Sequence, residues 1–158
     1  MLSLLAAYSK NRVIGSEGKI PWNLPSERNR FKSLCAGKKI IMGRKSFEEI
    51  GHGLSYCTII IVSTTLKAAP QGCLLAKNLE QALLLAEGQE ILIAGGETLY
   101  RQTINKADKI YATEIDAVIQ GNTFFPQLPE PEKWTKTVEK SFTEKGLRYS
   151  YVTWSKIK

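Results

Sequence analysis

The chain has 158 residues, of which 43% are hydrophobic and 23% are charged, as in an ordinary globular protein. This length predicts one domain, residues 1–158, with a single substantial core. Its apolar runs fall well short of the roughly 20 residues that a membrane-spanning helix needs, so we expect no membrane partner. Residues 1–8 are apolar but lack the leading basic region and cleavage site of a signal peptide. They therefore predict a first buried strand.

The formal net charge of +7 suits a polyanionic partner. The basic side chains are scattered, without the dense run or aromatic-rich motif of a nucleic-acid-binding protein, so we expect a small-molecule ligand and no nucleic acid. The three cysteines, Cys35, Cys57 and Cys73, are odd in number and widely spaced. This pattern predicts a cytoplasmic protein with neither a disulfide framework nor a metal site.

The predicted elements alternate between strand and helix along the first three quarters of the chain. Short runs rich in apolar residues predict strands at residues 2–8, 39–43, 58–63, 90–94 and 109–115. Helical patterns fall between them at residues 26–35, 44–50, 79–87 and 97–105. This alternation predicts an α/β fold whose parallel strands are joined by right-handed crossovers.

The pattern changes after residue 115. Two longer segments, 134–143 and 147–156, alternate polar and apolar residues, and Glu144-Lys145-Gly146 between them is typical of a hairpin turn. We therefore expect the parallel sheet to end in an antiparallel edge.

The loop after the first strand, residues 11–22, contains Gly15 and Gly18 and ends with Pro21 and Trp22. Ligands of open α/β sheets bind beyond the carboxyl ends of the strands, where this loop begins. Two interpretations are open here, a lid that closes over a site and an ordinary surface loop with a packed tryptophan.

The next segment places an acid beside an aromatic residue. Ser26 is a suitable N-cap, and Glu27 in the first turn could be a surface acid that the helix dipole favours. Phe31 lies four residues later and shares a helix face with Glu27. An aromatic side chain beside a carboxylate also suits a flat, amino-substituted heterocycle, which stacks on one and hydrogen-bonds the other.

Two strands run through glycine into a helix. Residues 40–47 read IIMGRKSF, in which backbone N–H groups with Arg44 and Lys45 could bind an anion. Residues 91–100 read ILIAGGETLY, where Gly95-Gly96 would let the backbone approach a diphosphate closely. Solvated helix starts and a tight turn remain open for these segments, and neither matches the GxGxxG fingerprint. Thr113, on the strand 109–115, is by itself an ordinary β-former.

Taken in this order and spacing, the segments resemble dihydrofolate reductase over essentially the whole chain. The resemblance implies a central sheet of eight strands, mostly parallel with an antiparallel C-terminal strand, flanked by four helices. It implies reduction of dihydrofolate with NADPH by a cytoplasmic monomer. It also implies catalytic roles for Glu27, Trp22, Tyr100 and Thr113, with Glu27 binding the pterin and Thr113 orienting Glu27 by a hydrogen bond.

The resemblance further implies two sets of binding residues. The substrate would contact Leu5, Ala6, Ala7, Glu27, Arg28, Phe31, Lys32, Ile50, Leu54, Cys57 and Thr113. The cofactor would contact Ala7, Ile14, Gly15, Ile20, Gly43, Arg44, Lys45, Ser46, Ser63, Thr64, Lys77, Ala94, Gly95, Gly96, Glu97, Thr98, Leu99 and Tyr100. Arg44 beside Ser63 and Thr64 favours NADPH over NADH, and the family usually has a cis peptide bond between the paired glycines.

Two positions depart from the family pattern. Cys57 stands where the family has an arginine that binds the carboxylate of the substrate's glutamate tail, and cysteine offers neither the charge nor the fork of a guanidinium. We hypothesise that Arg28, helped by Lys32 or His52, takes this role; a solvated Arg28 and a loosely held tail are the alternative. Asn122 replaces an acid that often partners the lid, so lid closure could be weaker.

Two other functions are compatible with the sequence. A related-fold reductase of another pterin or of a pyrimidine would explain the missing arginine, whereas Glu27 favours a folate. A non-catalytic binding module would be expected to have lost catalytic positions, yet Trp22, Glu27 and Thr113 are all present.

Overall fold

The computed structural model describes residues 1–15, 24–88 and 90–157. Its strands are β1 (Leu2–Ser9), β2 (Val13–Gly15), β3 (Lys39–Gly43), β4 (Thr58–Val62), β5 (Cys73–Ala76), β6 (Ile91–Ile93), β7 (Lys109–Ile115), β8 (Thr123–Phe124), β9 (Trp134–Glu144) and β10 (Leu147–Lys156). Its α-helices in the described residues are α1 (Pro25–Cys35), α2 (Arg44–Ile50), α3 (Leu79–Leu85) and α4 (Glu97–Thr103). None of these helices has the length and apolar character needed to cross a membrane.

Eight strands form one sheet in the order β5-β4-β3-β6-β1-β7-β10-β9. The pairs from β5 across to β7 are all parallel, and β10 pairs antiparallel with both β7 and β9. The inner strands are apolar through most of their length because the parallel part of the sheet is covered on both faces. The predicted fold class is therefore confirmed.

Alternate residues of the inner strands point into two separate clusters, one on each face of the sheet. Leu4 and Ile41 belong to the first cluster, with α3 and α4, whereas Leu5 and Ile40 belong to the second, with α1 and α2. The carboxyl ends of β1, β3, β4, β6 and β7 lie at the same edge of the sheet, since these strands are parallel. This edge is where most of the predicted functional residues follow their strands.

Several elements differ from the prediction. Strand β5 has only four residues, and β2 pairs with β8 as a separate two-stranded sheet. Strands this short carry too little alternation to be recognised from sequence. Helices α3 and α4 each end two residues before the predicted position, as is common where the last turn tightens.

The predicted helix cap at Ser26 is wrong. Helix α1 begins at Pro25, which suits the first helical position, so Leu24 is the N-cap residue and Ser26 lies inside the helix. The Ser26 hydroxyl instead donates to Glu144 Oε2 at 2.5 Å, and its backbone N–H donates to Glu144 Oε1 at 3.2 Å. Because the partner lies 118 residues away in the chain, the local sequence gave no sign of it.

The predicted hairpin turn is confirmed. Lys145 and Gly146 connect β9 to β10 and both have positive φ, at 51° and 78°, which matches the right-handed twist of the flanking strands. The turn carries Glu144 at its first position and so brings this carboxylate to the start of α1.

Candidate active site

The carboxylate of Glu27 accepts a hydrogen bond from the hydroxyl of Thr113, as predicted from the family resemblance. Glu27 lies in the first turn of α1, and Thr113 is buried near the end of β7. Burial raises the pKa of Glu27. The hydrogen bond from Thr113 and the positive charge of Arg30 lower it, and the negative charge of Glu144 raises it further. The structure thus contains a half-buried acid whose ionisation several neighbours control.

An apolar wall lies beside this acid. Phe31 follows Glu27 by one turn of α1 and packs against the second cluster. The same cluster contains five of the eleven predicted substrate residues, namely Leu5, Phe31, Ile50, Leu54 and Cys57. The structure therefore brings together residues from β1, α1, α2 and the segment that leads into β4.

The side chains of Ala6 and Ala7, which are neighbours on β1, point to opposite faces of the sheet. Ala7 is the register partner of Thr113 and shares with Leu5 the face toward α1, because side chains two residues apart point the same way. The side chain of Ala6 points to the opposite face, into the first cluster. The structure thus separates the Ala6 side chain from the other predicted substrate residues.

Two glycine-containing strand ends meet at the centre of the sheet edge. The N–H of Gly43, at the end of β3, donates to the carbonyl oxygen of Gly95 at 2.9 Å. The Gly95–Gly96 peptide bond is cis, as the family resemblance implied. Gly95 has φ +109°, and a Cβ there would lie 2.9 Å from Ser46 Oγ. The positive φ favours glycine at position 95, where a Cβ would also press on the Ser46 hydroxyl.

Three adjacent strands end beside the predicted phosphate-binding residues. Gly43 of β3 is paired with Val62 of β4, which is paired in turn with Ala76 of β5. The residues that directly follow these three positions are Arg44, Ser63 and Lys77. Register alone therefore places one hydroxyl and two cations side by side at the edge of the sheet.

The individual residues of this group differ in their contacts. Arg44 pairs with Glu48 one turn later, at 2.6 Å, and Lys45, Thr64 and Lys77 are exposed. Ser63 is buried, and its Oγ accepts the backbone N–H of residues 65 and 66 at 3.1 Å. Ser63 thus shapes the turn after β4, while the exposed side chains remain accessible to a ligand.

Helix α4 brings a tyrosine under the centre of the site. The buried hydroxyl of Tyr100 donates to the carbonyl oxygen of Leu5 at 2.6 Å, which ties α4 to β1. Glu97, at the start of α4, accepts the N–H of Phe124 at 2.6 Å. Of the other predicted cofactor residues here, Thr98 is exposed, Leu99 is buried in the first cluster, and Ala94 donates its N–H to the carbonyl oxygen of Ile41.

The start of the predicted lid is fixed to a second segment. Strand β2, which contains Ile14 and Gly15, pairs with β8, and Asn122 donates its N–H to the carbonyl oxygen of Gly15 at 3.1 Å. The predicted residues Ile20 and Trp22 lie outside the residues that the structure describes.

The region of the missing arginine is basic but has no guanidinium at position 57. Burial raises the pKa of the half-buried Cys57 thiol, which keeps it uncharged. Lys32 of α1 lies beside this position, with Nζ 5.7 Å from the ring centroid of Tyr56. Arg28, one turn before Lys32, is exposed, as is His52, whose Nδ1 contacts the carbonyl oxygen of Gly53 at 2.8 Å.

The sequence prediction missed the residues that surround Glu27 from the C-terminal hairpin. Tyr151 of β10 donates its hydroxyl to the carbonyl oxygen of Ser26 at 3.2 Å and lies under the guanidinium of Arg30. The spacing of Arg30, three residues after Glu27, was the one signal in the sequence that could have indicated a role.

The surface of the described residues also has two open clefts, of about 420 and 540 Å³. The smaller one adjoins Tyr8 and Glu114, and the larger one lies between α1 and the C-terminal hairpin. Neither is lined by both Glu27 and Gly95. We therefore locate the candidate site by the chemistry of its side chains rather than by cleft size.

Comparison with known proteins agrees with this site. Residues 1–156 match the family model described as dihydrofolate reductase. A dihydrofolate reductase of Haemophilus influenzae is 40% identical over 133 residues, which cover 84% of this chain and 82% of that protein. A type 3 dihydrofolate reductase of Salmonella typhimurium is 39% identical over 127 residues, or 80% and 78% of the two chains.

The fold agrees as well. A solved dihydrofolate reductase from Enterococcus faecalis, complexed with NADP(H) and RAB-propyl, superposes with a TM-score of 0.89. It is 27% identical and the match covers 100% of this chain and 97% of that one. With a family match over nearly its whole length and a half-buried acid held by Thr113, this chain belongs to the dihydrofolate reductase family.

Proposed function

We propose that the protein reduces 7,8-dihydrofolate to 5,6,7,8-tetrahydrofolate with NADPH. The observation that carries this proposal is the half-buried Glu27 carboxylate, held by Thr113 and flanked by the apolar wall around Phe31. A pterin ring has an apolar face and a polar edge of ring nitrogens and an amino group. In this site the wall around Phe31 suits the apolar face of the ring, and the Glu27 carboxylate suits its polar edge.

On the substrate side, Glu27 accepts hydrogen bonds from the pterin 2-amino group and N3 and favours protonation at N5. Phe31, Ile50 and Leu54 pack on the ring, and Ala7 lies beside the acid through its register with Thr113. The small side chain of Ala7 leaves room for the ring against the sheet. These residues contribute to the reaction by aligning the pterin ring with the cofactor in a site shielded from water.

On the cofactor side, the residues present fit a dinucleotide. Gly43 and Gly95 bring two backbone segments into contact where a side chain at Gly95 would meet Ser46, which leaves backbone groups free to approach a diphosphate. Arg44, Ser63, Thr64 and Lys77 follow adjacent strands and suit the extra phosphate that distinguishes NADPH from NADH. When bound, NADPH supplies the hydride that pterin C6 receives.

The test is turnover by the purified protein, followed by the loss of NADPH absorbance. We expect saturable turnover with dihydrofolate and a fall in kcat/KM of roughly 10²- to 10⁴-fold for Glu27→Ala. A dihydropterin without the glutamate tail is assayed in parallel. If only this tail-less substrate is reduced, the chain acts on another pterin, and if neither is reduced, the proposed function is wrong.

We further propose that Arg28 and Lys32 bind the carboxylate of the substrate's glutamate tail. These two residues are one turn apart on α1, and Lys32 lies beside Tyr56, next to the position of the missing arginine. Both are exposed, so they can reach a tail that extends toward solvent. Cys57 itself contributes no charge there.

For this tail proposal, Arg28→Ala is expected to raise the KM for dihydrofolate about tenfold, because a hydrogen bond to a charged group is lost. The KM for NADPH should stay unchanged. Arg148→Ala, which removes an exposed arginine on β10, is the matched control and should change neither constant. Equal changes in both constants for Arg28→Ala would contradict the proposal.

The proposal also includes the domain organisation, the oligomeric state and the cellular compartment of the enzyme. We infer that residues 1–158 act as one domain and as a monomer in the cytoplasm, with no nucleic-acid partner. The interleaved strand order supports one domain, since β6 lies between β3 and β1 and ties distant parts of the chain together. The three cysteines are free, as expected in a reducing compartment.

A further inference from the structure

Arg30 lies on the face of α1 that carries Glu27, because residues three apart in a helix are neighbours. Its guanidinium carbon is 4.1 Å from the ring centroid of Tyr151, close enough for a cation–π contact. Arg30 is half-buried and lines the cleft of about 540 Å³ between α1 and the hairpin. Its position is therefore fixed by packing on the hairpin.

The helix and the hairpin are held together at the same point. Ser26, which precedes Glu27, donates two hydrogen bonds to Glu144, and its carbonyl oxygen accepts one from Tyr151. These contacts join the first turn of α1 to both strands of the hairpin. These contacts therefore hold the side chain of Arg30 at a fixed position relative to Tyr151 and Glu27.

Charged and titratable groups face Glu27 from each element packed around it. Arg30 of α1 lowers the pKa of Glu27, and Glu144 of β9 raises it. Thr113 of β7 lowers it by hydrogen bonding. Among the residues that the structure describes, three tyrosines also face Glu27: Tyr100 of α4 and Tyr149 and Tyr151 of β10. Burial raises their pKa values first, and the charge of Glu27 raises them further.

Arg30 keeps its charge in this position. Burial lowers its pKa, and the carboxylates of Glu27 and Glu139 act in the opposite direction. A guanidinium stays protonated in proteins even when it is partly desolvated. Arg30 therefore supplies a permanent positive charge on the side of Glu27 that faces the hairpin.

We propose that Arg30 is a positioning residue for Glu27, whose fixed positive charge keeps the carboxylate ionised so that it accepts hydrogen bonds from an amino-substituted ring. The effect on Glu27 itself follows from the contacts above, while its use in turnover rests on the proposed function. A neutral carboxyl would donate a proton where the substrate also donates one. Loss of Arg30 should therefore impair binding of the ring as the pH approaches the raised pKa of Glu27.

The first test measures the pKa of Glu27 in the protein without substrate, from the ¹³C chemical shift of its side-chain carboxyl, assigned with Glu27→Gln. Arg30→Met should raise this pKa by about one unit, and Arg30→Lys, which keeps the charge, should stay close to the unaltered protein. Lys140→Met is the matched control, because Lys140 is a cation that lines the same cleft from β9, with its Nζ 5.3 Å from the ring centroid of Phe142. It should leave the Glu27 pKa unchanged.

An unchanged Glu27 pKa in a folded Arg30→Met protein would overturn the proposal. If that variant does not fold, Arg30→Gln gives the same comparison with polar contacts retained. The pH dependence of kcat/KM for dihydrofolate should shift in the same direction as the measured pKa. A shifted pKa without any reductase activity would leave the inference intact and contradict the proposed function, so the two failures are distinct.

Discussion

At the scale of single residues, two glutamates show how opposite environments set opposite pKa shifts. Burial dominates at Glu27 and raises its pKa. At Glu114 the partners outweigh burial: Tyr8 and Trp154 donate to Oε2, and Lys136 pairs with Oε1 at 2.8 Å. The pKa of Glu114 is therefore lowered. The ionised form of Glu27 therefore carries a cost in stability, whereas Glu114 stabilises the sheet.

This difference predicts opposite effects of the same substitution. Because the pKa of Glu27 is raised on folding, its ionised form destabilises the fold at neutral pH, and the penalty disappears below the unfolded value near 4.5. Glu27→Gln should therefore raise the Tm by a few degrees, as expected for about 1 kcal/mol, at pH about 7.5, and the gain should vanish as the pH falls toward about 4. Thermal unfolding at both pH values measures this.

Glu114→Gln is the control with the reverse sign. Its lowered pKa contributes stability that is present above the unfolded value and is lost as the pH falls through the folded pKa. This variant should have a lower Tm than the unaltered protein at neutral pH, with a smaller difference in acid. If Glu27→Gln also lowers the Tm at neutral pH, the buried carboxylate does not carry the penalty that we infer.

At the scale of elements, the two-stranded pair β2–β8 depends on a glycine. Gly121 precedes β8, and a Cβ there would overlap Val13 Cγ1 and lie 2.5 Å from the carbonyl oxygen of Gly15. The backbone that begins the predicted lid therefore passes directly over Gly121. This contact fixes the position of Gly15 against the segment that leads into β8.

Gly121→Ala is expected to destabilise the protein by about 1–3 kcal/mol, because a methyl group is forced against backbone and a buried valine. Gly88→Ala is the matched control: a Cβ at Gly88 meets only the carbonyl oxygen of Ala86, at 3.7 Å, an ordinary contact. Urea unfolding measures both. If the two variants have equal free energies of unfolding, the β2–β8 pair accommodates the added methyl group by moving apart, and the close contact at Gly121 does not contribute to stability.

At the scale of the whole molecule, residues from distant parts of the chain form the candidate site at one edge of the sheet. The hydrogen bond between Thr113 and Glu27 joins residues 86 apart in sequence, and the bond between Ser26 and Glu144 joins residues 118 apart. The parallel strands supply the floor of the candidate site and lead into the glycine and basic residues at its edge. The antiparallel hairpin at the other side of β7 supports the helix that carries the acid.

Much of this arrangement could be predicted from sequence. The five apolar strands and four helices were predicted in the correct order. A strand that is buried on both faces is apolar through most of its length, and this run of residues is visible in the local sequence. Glu27 and Phe31 were paired from their spacing on one helix. The register of Gly43 with Val62 and Ala76 then places the predicted residues Arg44, Ser63 and Lys77 together.

Other features could not be predicted locally. The pairing of β2 with β8, the short strand β5 and the true partner of Ser26 depend on residues far away in the chain. The separation of Ala6 from Leu5 became visible only once the faces of β1 had been assigned. The surroundings of Arg30 are of the same kind, since Tyr151 and Glu139 approach it from the hairpin.

The sequence by itself thus determined the α/β class, the order of the elements and the residue types that the chemistry needs. These properties follow from short-range patterns of burial, turn geometry and spacing. Only the tertiary structure decided which charges face Glu27, and hence how strongly its carboxyl holds a proton. The physical reason is that a pKa depends on distance and burial in three dimensions, and neither can be read from positions along the chain.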